Sequence, residues 1–192
     1  MDQVKPPLTA NDESNPETNI RLNAMGSSGP FRGGKHLDLE GGVRIPFIVR
    51  WPGQVPAGRV DERSVLSGVD WLPTLCALSG TKIDIAGFDR EDTSAAWLGK
   101  GEHARTKPLF WKLPGPGAPG TIRDGSWKFS PARKSRGEPE LYDLTADPGE
   151  ERNVAKEYPD IVQLLSAKLE AWKATLPKHD DAPAPNDNDN DQ

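Results

Sequence analysis

The chain has 192 residues, 34% hydrophobic and 28% charged, with 19 glycines, 19 prolines and a formal net charge of −5. That suffices for one core, or one domain plus part of another, built with many turns and short strands. Lys and Arg are dispersed rather than gathered into a stripe, so a nucleic-acid partner is not expected, because phosphate binding needs a basic face. The longest apolar run, Ile45 to Trp51, is interrupted by Pro46 and Arg50 and is too short to cross a bilayer, so no membrane partner is expected. The one cysteine, Cys76, allows no internal disulfide and no cysteine-based metal site. The opening Met-Asp-Gln-Val-Lys-Pro-Pro has no apolar h-region, so no secretion signal is expected in this stretch.

In chain order, residues 1–28 are polar, rich in Asn, Ser and Pro, and are expected to be disordered. Residues 31–42, Phe-Arg-Gly-Gly-Lys-His-Leu-Asp-Leu-Glu-Gly-Gly, read as a glycine-punctuated loop. Val43 to Trp51 reads as a strand, because β-branched and aromatic residues dominate and Pro52-Gly53 closes it. It lacks clean alternation, which predicts burial on both faces. Asp70 to Gly80 reads as a short helix, with Asp70 as N-cap, Pro73 in the tolerated first turn and Gly80 at the end. Leu72, Leu75, Cys76 and Ser79 would share its inner face. A second short helix is expected over Ser94 to Leu98.

From Pro108 the pattern changes to short strand candidates at Leu109–Trp111, Thr121–Arg123, Trp127–Phe129 and Glu140–Leu144. Turn-forming stretches such as Asp124-Gly125 separate them, which predicts a small antiparallel sheet. Pro159 to Leu176 reads as a helix, with Ile161, Leu164, Leu165, Leu169, Trp172 and Leu176 on one stripe. The Asn/Asp tail is expected to be disordered. The resulting division is 1–28, 29–105, 106–177 and 178–192, with the sheet and its helix in the third segment.

Four segments, taken together, resemble the second half of the sulfatase family. They are Gly33-Gly34-Lys35 through Glu40-Gly-Gly-Val-Arg44-x-Pro46 to Gly53, Val69-Asp70-x2-Pro73-Thr74-Leu75, Ile122-Arg123-Asp124-Gly125-x-Trp127-Lys128, and Glu140-Leu141-Tyr142-Asp143-Leu144 with Asp147-Pro148-Gly149-Glu150-x2-Asn153. The arylsulfatase A and N-acetylgalactosamine-6-sulfatase branch looks nearest. The resemblance implies an α/β fold: the C-terminal portion of an alkaline-phosphatase-like sulfatase, with a small antiparallel sheet packed by a C-terminal helix. It also implies hydrolysis of a sulfate ester on a sulfated small molecule or glycan, and a periplasmic or secreted location. The family employs a formylglycine made from the cysteine of a Cys-x-Pro-x-Arg motif, and a calcium ion on Asp and Asn oxygens, ligands suited to a hard cation.

Cys76 is followed by Ala-Leu-Ser-Gly and lacks that motif, so it reads as a small core residue and this chain supplies no nucleophile. At the position of the family's later metal pair stand Glu13 and Ser14, or Asn15 if the register slips. Asn15 is a metal candidate against the alternative of a solvated loop. Lys35 is the catalytic candidate: by the resemblance it would contact the substrate sulfate, and flanking glycines let an ammonium approach an anion closely. Its alternative is an ordinary surface lysine. His36 could touch substrate or be a solvated loop residue. Glu40 and Arg44 are expected to tie the loop to the strand through ion pairs. His103 and His179 receive no role. Trp111, Trp127 and Trp172 are expected to pack between sheet and helix rather than stack on sugars. Lys112 to Gly120 is either a rim loop or a plain connector. Three readings follow: part of a sulfatase, a non-catalytic remnant or binding module, or a phosphate-acting member of the alkaline-phosphatase-like superfamily.

Overall fold

The computed structural model describes residues 27–84, 89–113, 119–132 and 137–177. Four strands, β1 (Leu109–Trp111), β2 (Thr121–Asp124), β3 (Trp127–Ser130) and β4 (Glu140–Asp143), form an antiparallel sheet in sequential order. The β2–β3 turn has two residues, since Asp124 pairs with Trp127, and Gly125 stands at φ +60°. A left-handed first position is what such a tight hairpin requires, and glycine adopts it without strain. The far edge of β4 is closed by a loop rather than a strand. Asn153 Oδ1 accepts the Leu141 and Ala155 N–H groups at 3.0 Å, and Val154 N–H donates to the Leu141 carbonyl at 2.9 Å.

Alternation divides the sheet into an apolar and a polar face. Ile122, Phe129 and Leu141 are in register and buried under α4 (Pro159–Ala174), which contributes Leu165 and Leu169. Phe110 stacks on Trp172 with centroids 4.8 Å apart, and Trp127 tilts against Tyr158 at 5.0 Å. Each fully buried aliphatic side chain in this cluster contributes roughly 1.5–3 kcal/mol. The stripe expected on α4 holds at Ile161, Leu165, Leu169 and Trp172; Leu164 lies one step off the buried line and is 54% exposed, and Leu176 falls beyond the helix, which ends at Ala174. Trp111 departs from its expected place. It lies on the polar face, its ring 5.8 Å from Lys128 Nζ, because it pairs with Thr121 and not with an apolar-face residue.

The N-terminal part contains α1 (Glu40–Val43), a 3₁₀ turn at Gly68–Asp70, α2 (Trp71–Ser79) and α3 (Ser94–Trp97). The strand expected over Val43–Trp51 does not form. After α1 the backbone turns extended at Arg44, and no described residue pairs with the segment, which leaves Ile45 77% and Ile48 88% exposed. Strand composition favours an extended chain, but a ladder needs a neighbour. The inner face of α2 is also reversed from expectation. Pro73 and Thr74 are buried, whereas Leu72 and Leu75 are half exposed and Cys76 is only partly covered. Thr74 Oγ1 bonds Thr93 Oγ1 and accepts the Thr93 N–H, both at 3.0 Å, so polar satisfaction sets the orientation. Gly80 ends α2 at φ +75°, as expected.

Because Leu169 is fully buried, Leu169→Ala is expected to destabilise the sheet–helix unit by about 2–5 kcal/mol. A urea-denaturation midpoint unchanged from the parent chain would contradict this packing.

Candidate functional site

Lys35 and His36 occupy the centre of a turn closed by the Leu37 N–H and the Gly34 carbonyl at 3.1 Å. His36 stands at φ +73°, the left-handed third position of a type II turn, an unusual conformation for a residue with a Cβ. The glycine pair after the turn is needed for close approach. A Cβ at Gly41 would lie 2.6 Å from the Arg32 and Gly33 carbonyl oxygens, and one at Gly42 would lie 2.1 Å from that of Leu37. The backbone therefore doubles back under the turn and projects Lys35 and His36 outward. Both are exposed, and no described group pairs with the Lys35 ammonium.

Three sets of contacts fix this loop on the polar face of the sheet. At its start, the Arg32 guanidinium clasps the Glu140 carboxylate through two hydrogen bonds of 3.2 and 3.3 Å and donates to the Tyr142 hydroxyl at 2.6 Å. Burial pushes Tyr142 up to about 12, despite the nearby arginine. In the middle, Asp38 accepts the Thr121 hydroxyl at 2.5 Å. At its end, Glu40 lies 2.9 Å from Lys128 Nζ, accepts from Arg44 Nε at 2.6 Å, and donates its own N–H to Glu150 at 2.7 Å. Lys128 also meets Glu150 at 3.0 Å, and all three side chains are 1% exposed.

Burial alone would raise the Glu40 pKa. The Lys128 charge and the Arg44 hydrogen bond outweigh it and hold the carboxyl below the usual range. Lys128 is buried between two carboxylates, and the part-exposed Arg44 supplies the second positive charge from the rim, so the buried ions are paired as an interior requires. Glu40 and Arg44 do form an ion pair, but it lies across α1 and its C-cap rather than tying the loop to a strand, since the Val43–Trp51 strand does not form. Sequence reasoning passed over Lys128 and Glu150. The available signals were a lysine among core residues of a strand and a glutamate closing an Asp-Pro-Gly turn, where it takes φ +54°.

A second network joins the α2–α3 region to β1. Asp70 does not cap α2 through its side chain. It accepts the Ser67 and Glu91 N–H groups, both at 3.0 Å, and pairs with Arg105 at 2.6 Å. Glu91 gathers the Thr106 hydroxyl at 2.8 Å, the Lys107 N–H at 2.6 Å and His103 Nε2 at 2.6 Å. Burial opposes its ionisation, but these bonds hold its carboxyl down at about 2. His103, given no role from sequence, is thus a structural partner of Glu91.

The arrangement presents one free ammonium on a clamped turn and can contact an anion without itself supplying a nucleophile. Cys76 sits on α2, away from the loop by sequence and element. Among the described residues no three His, Cys, Asp or Glu side chains are grouped to hold a metal ion. Asn15, His179 and residues 114–118 of the Lys112–Gly120 segment lie outside the described residues.

Residues 33–175 match the family model for the C-terminal region of N-sulphoglucosamine sulphohydrolase, and the chain belongs to this sulfatase family. It is 35% identical to an N-acetylgalactosamine-6-O-sulfatase of Bacteroides thetaiotaomicron, over 80% of this chain and 32% of that protein. It is 32% identical to human arylsulfatase A, over 85% of this chain and 37% of the relative. The chain therefore spans about a third of the length of these relatives. Among solved structures, one from work on glycosaminoglycan metabolism by Bacteroides thetaiotaomicron aligns with TM-score 0.63 and 32% identity, covering 82% of this chain and 35% of that one. The crystal structure of Ps i-CgsB in complex with k-i-k-neocarrahexaose aligns with TM-score 0.65 and 25% identity, covering 75% and 32%. The α/β fold expected from the resemblance is that of these sulfatases.

Lys128→Met is expected to cost about 3–5 kcal/mol in chemical denaturation, because Glu40 and Glu150 would keep buried charge without a counter-ion. A loss under about 1 kcal/mol would mean the carboxylates are solvated. Glu91 gives a pH prediction. Its folded pKa is depressed from 4.5 to about 2, so its stabilisation is complete above the unfolded value and disappears as pH falls toward 2. Denaturation midpoints measured from pH 7 to pH 2 should therefore fall less steeply for Glu91→Gln than for the parent.

Proposed function

We propose that this chain is the sulfate-contacting, C-terminal part of a sulfuric ester hydrolase, with Lys35 as the residue that meets the substrate sulfate. The observation carrying this reading is the exposed, unpaired Lys35 at the centre of a turn whose two ends are held by ion pairs, the one at Glu40 buried, within the stretch matching the sulfatase family. An ammonium held in place offsets charge on the transferring group without reorganising during reaction, the usual electrostatic contribution to such a displacement. His36, beside it on the turn, is placed to touch the rest of the substrate. The names of the relatives favour a sulfated sugar or an aryl sulfate, and the oligosaccharide held by Ps i-CgsB favours a glycan.

In this reading the formylglycine and calcium of the family come from residues outside those described. Cys76 is followed by Ala-Leu-Ser-Gly and does not fit the nucleophile motif. The chain alone then acts as a binding and positioning element. The isolated 192-residue chain is expected to hydrolyse no chromogenic aryl sulfate. Turnover by the pure chain, abolished by Lys35→Ala, would require a nucleophile within it and overturn the assignment.

Assayed within a complete sulfatase polypeptide carrying this chain, Lys35→Ala should lower the rate constant by a factor on the order of 10² to 10³, with an unchanged melting temperature. A variant within twofold of the parent removes Lys35 from the site.

A further inference from the structure

An open cleft of about 250 Å³ lies beside the β2–β3 turn, lined by Arg63, His103, Arg105, Arg123, Ser126 and Thr145 among others. Among the described residues no carboxylate lines it, and neither do Lys35 and His36. Three arginines around one small space repel one another unless anions compensate them. For two of the three the compensation is visible. Arg105 pairs with Asp70 at 2.6 Å and Arg63 reaches Glu102 at 3.5 Å, while His103 is engaged by Glu91 at 2.6 Å.

Arg123 is the exception. It projects from the polar face of β2, in register with Lys128, and among the described residues its guanidinium makes one hydrogen bond, from Nε to the Gly125 carbonyl at 3.3 Å. No described carboxylate forms an ion pair with it. Burial lowers its pKa; Glu40 works against that effect, and the nearby Arg44 and Arg105 charges reinforce it. A half-buried guanidinium without a counter-ion is costly unless something anionic completes it. Its remaining N–H donors form a planar fork suited to two oxygens of one oxyanion, and the Ser126 and Thr145 hydroxyls can add further donors.

We propose that this cleft is an oxyanion-binding site, with Arg123 as its principal ligand, recognising a sulfate or carboxylate group either free or carried on an acidic sugar. The site requires no hydrolysis, so it stands or falls separately from the role of Lys35.

The test is titration of the 192-residue chain with sodium sulfate against sodium chloride at matched ionic strength, followed through the amide resonances of Gly125, Ser126 and Thr145. Saturable shifts specific to sulfate are expected, weakened about tenfold or more in Arg123→Gln, as loss of a charge-assisted pair implies. Arg63→Gln, a change on an exposed side chain, should weaken binding less while leaving the sheet untouched, and Lys35→Ala should leave it unchanged. A second arm with N-acetylgalactosamine 6-sulfate separates the two sources. Tighter binding than inorganic sulfate assigns the cleft to a glycan, and equal binding to the free anion. Shifts that match chloride, or that survive both arginine substitutions, overturn the proposal and leave Arg123 to pair with a carboxylate outside the described residues.

Discussion

The position of the lysine turn depends on one buried charge, the Lys128 ammonium between Glu40 and Glu150. Desolvating an ammonium is so unfavourable that its counter-ions are obligatory. Here they are supplied by two chain segments far from β3 in sequence, the end of the lysine loop and the turn after β4. Those segments must both arrive for the charge to be tolerated, and the Glu40 N–H donating to Glu150 links them directly. A greasy contact could slide by an ångström with little cost. A triad of oxygens and nitrogen at hydrogen-bond distance cannot, and this gives the turn a defined register on the sheet.

This explains how a small sheet with one apolar face holds the lysine loop in place. Its apolar face is occupied by α4 and supplies ordinary hydrophobic stability. Its polar face is left for Arg32, Asp38 and Glu40, each of which finds a partner on a different strand or strand end. Alternation along β2 and β3 thus separates two tasks, cohesion on one side and positioning on the other. The pleat performs that separation with no additional element.

The sequence was most informative where interactions are local. The α4 stripe, the four short strands and the Asp124-Gly125 turn each follow from a periodicity or a turn residue within a few positions. It was least informative where a partner is distant. Lys128 lies 88 residues from Glu40, so its apolar strand neighbours hint at burial but nothing near it shows which carboxylate would pair with it. For α2, the leucines suggested an inner face, but hydrogen bonds to Thr93, nineteen residues away, decided the orientation instead. The extended run after α1 was legible as backbone conformation and illegible as pairing. Lys35 was singled out through family resemblance. Its exposure and the left-handed His36 beside it became visible only once the chain was folded.

That unpaired run has a consequence for how the chain behaves in bulk. From Ile45 to Val49 no described strand pairs with the backbone, beside two exposed isoleucines on a segment only lightly charged. Such an edge is a template for any extended strand that meets it, including the same segment of another copy. Pro46 and Arg50 interrupt it and slow that process, in the manner of gatekeeper residues. An extended, apolar segment of this kind favours self-association more as copies become more concentrated.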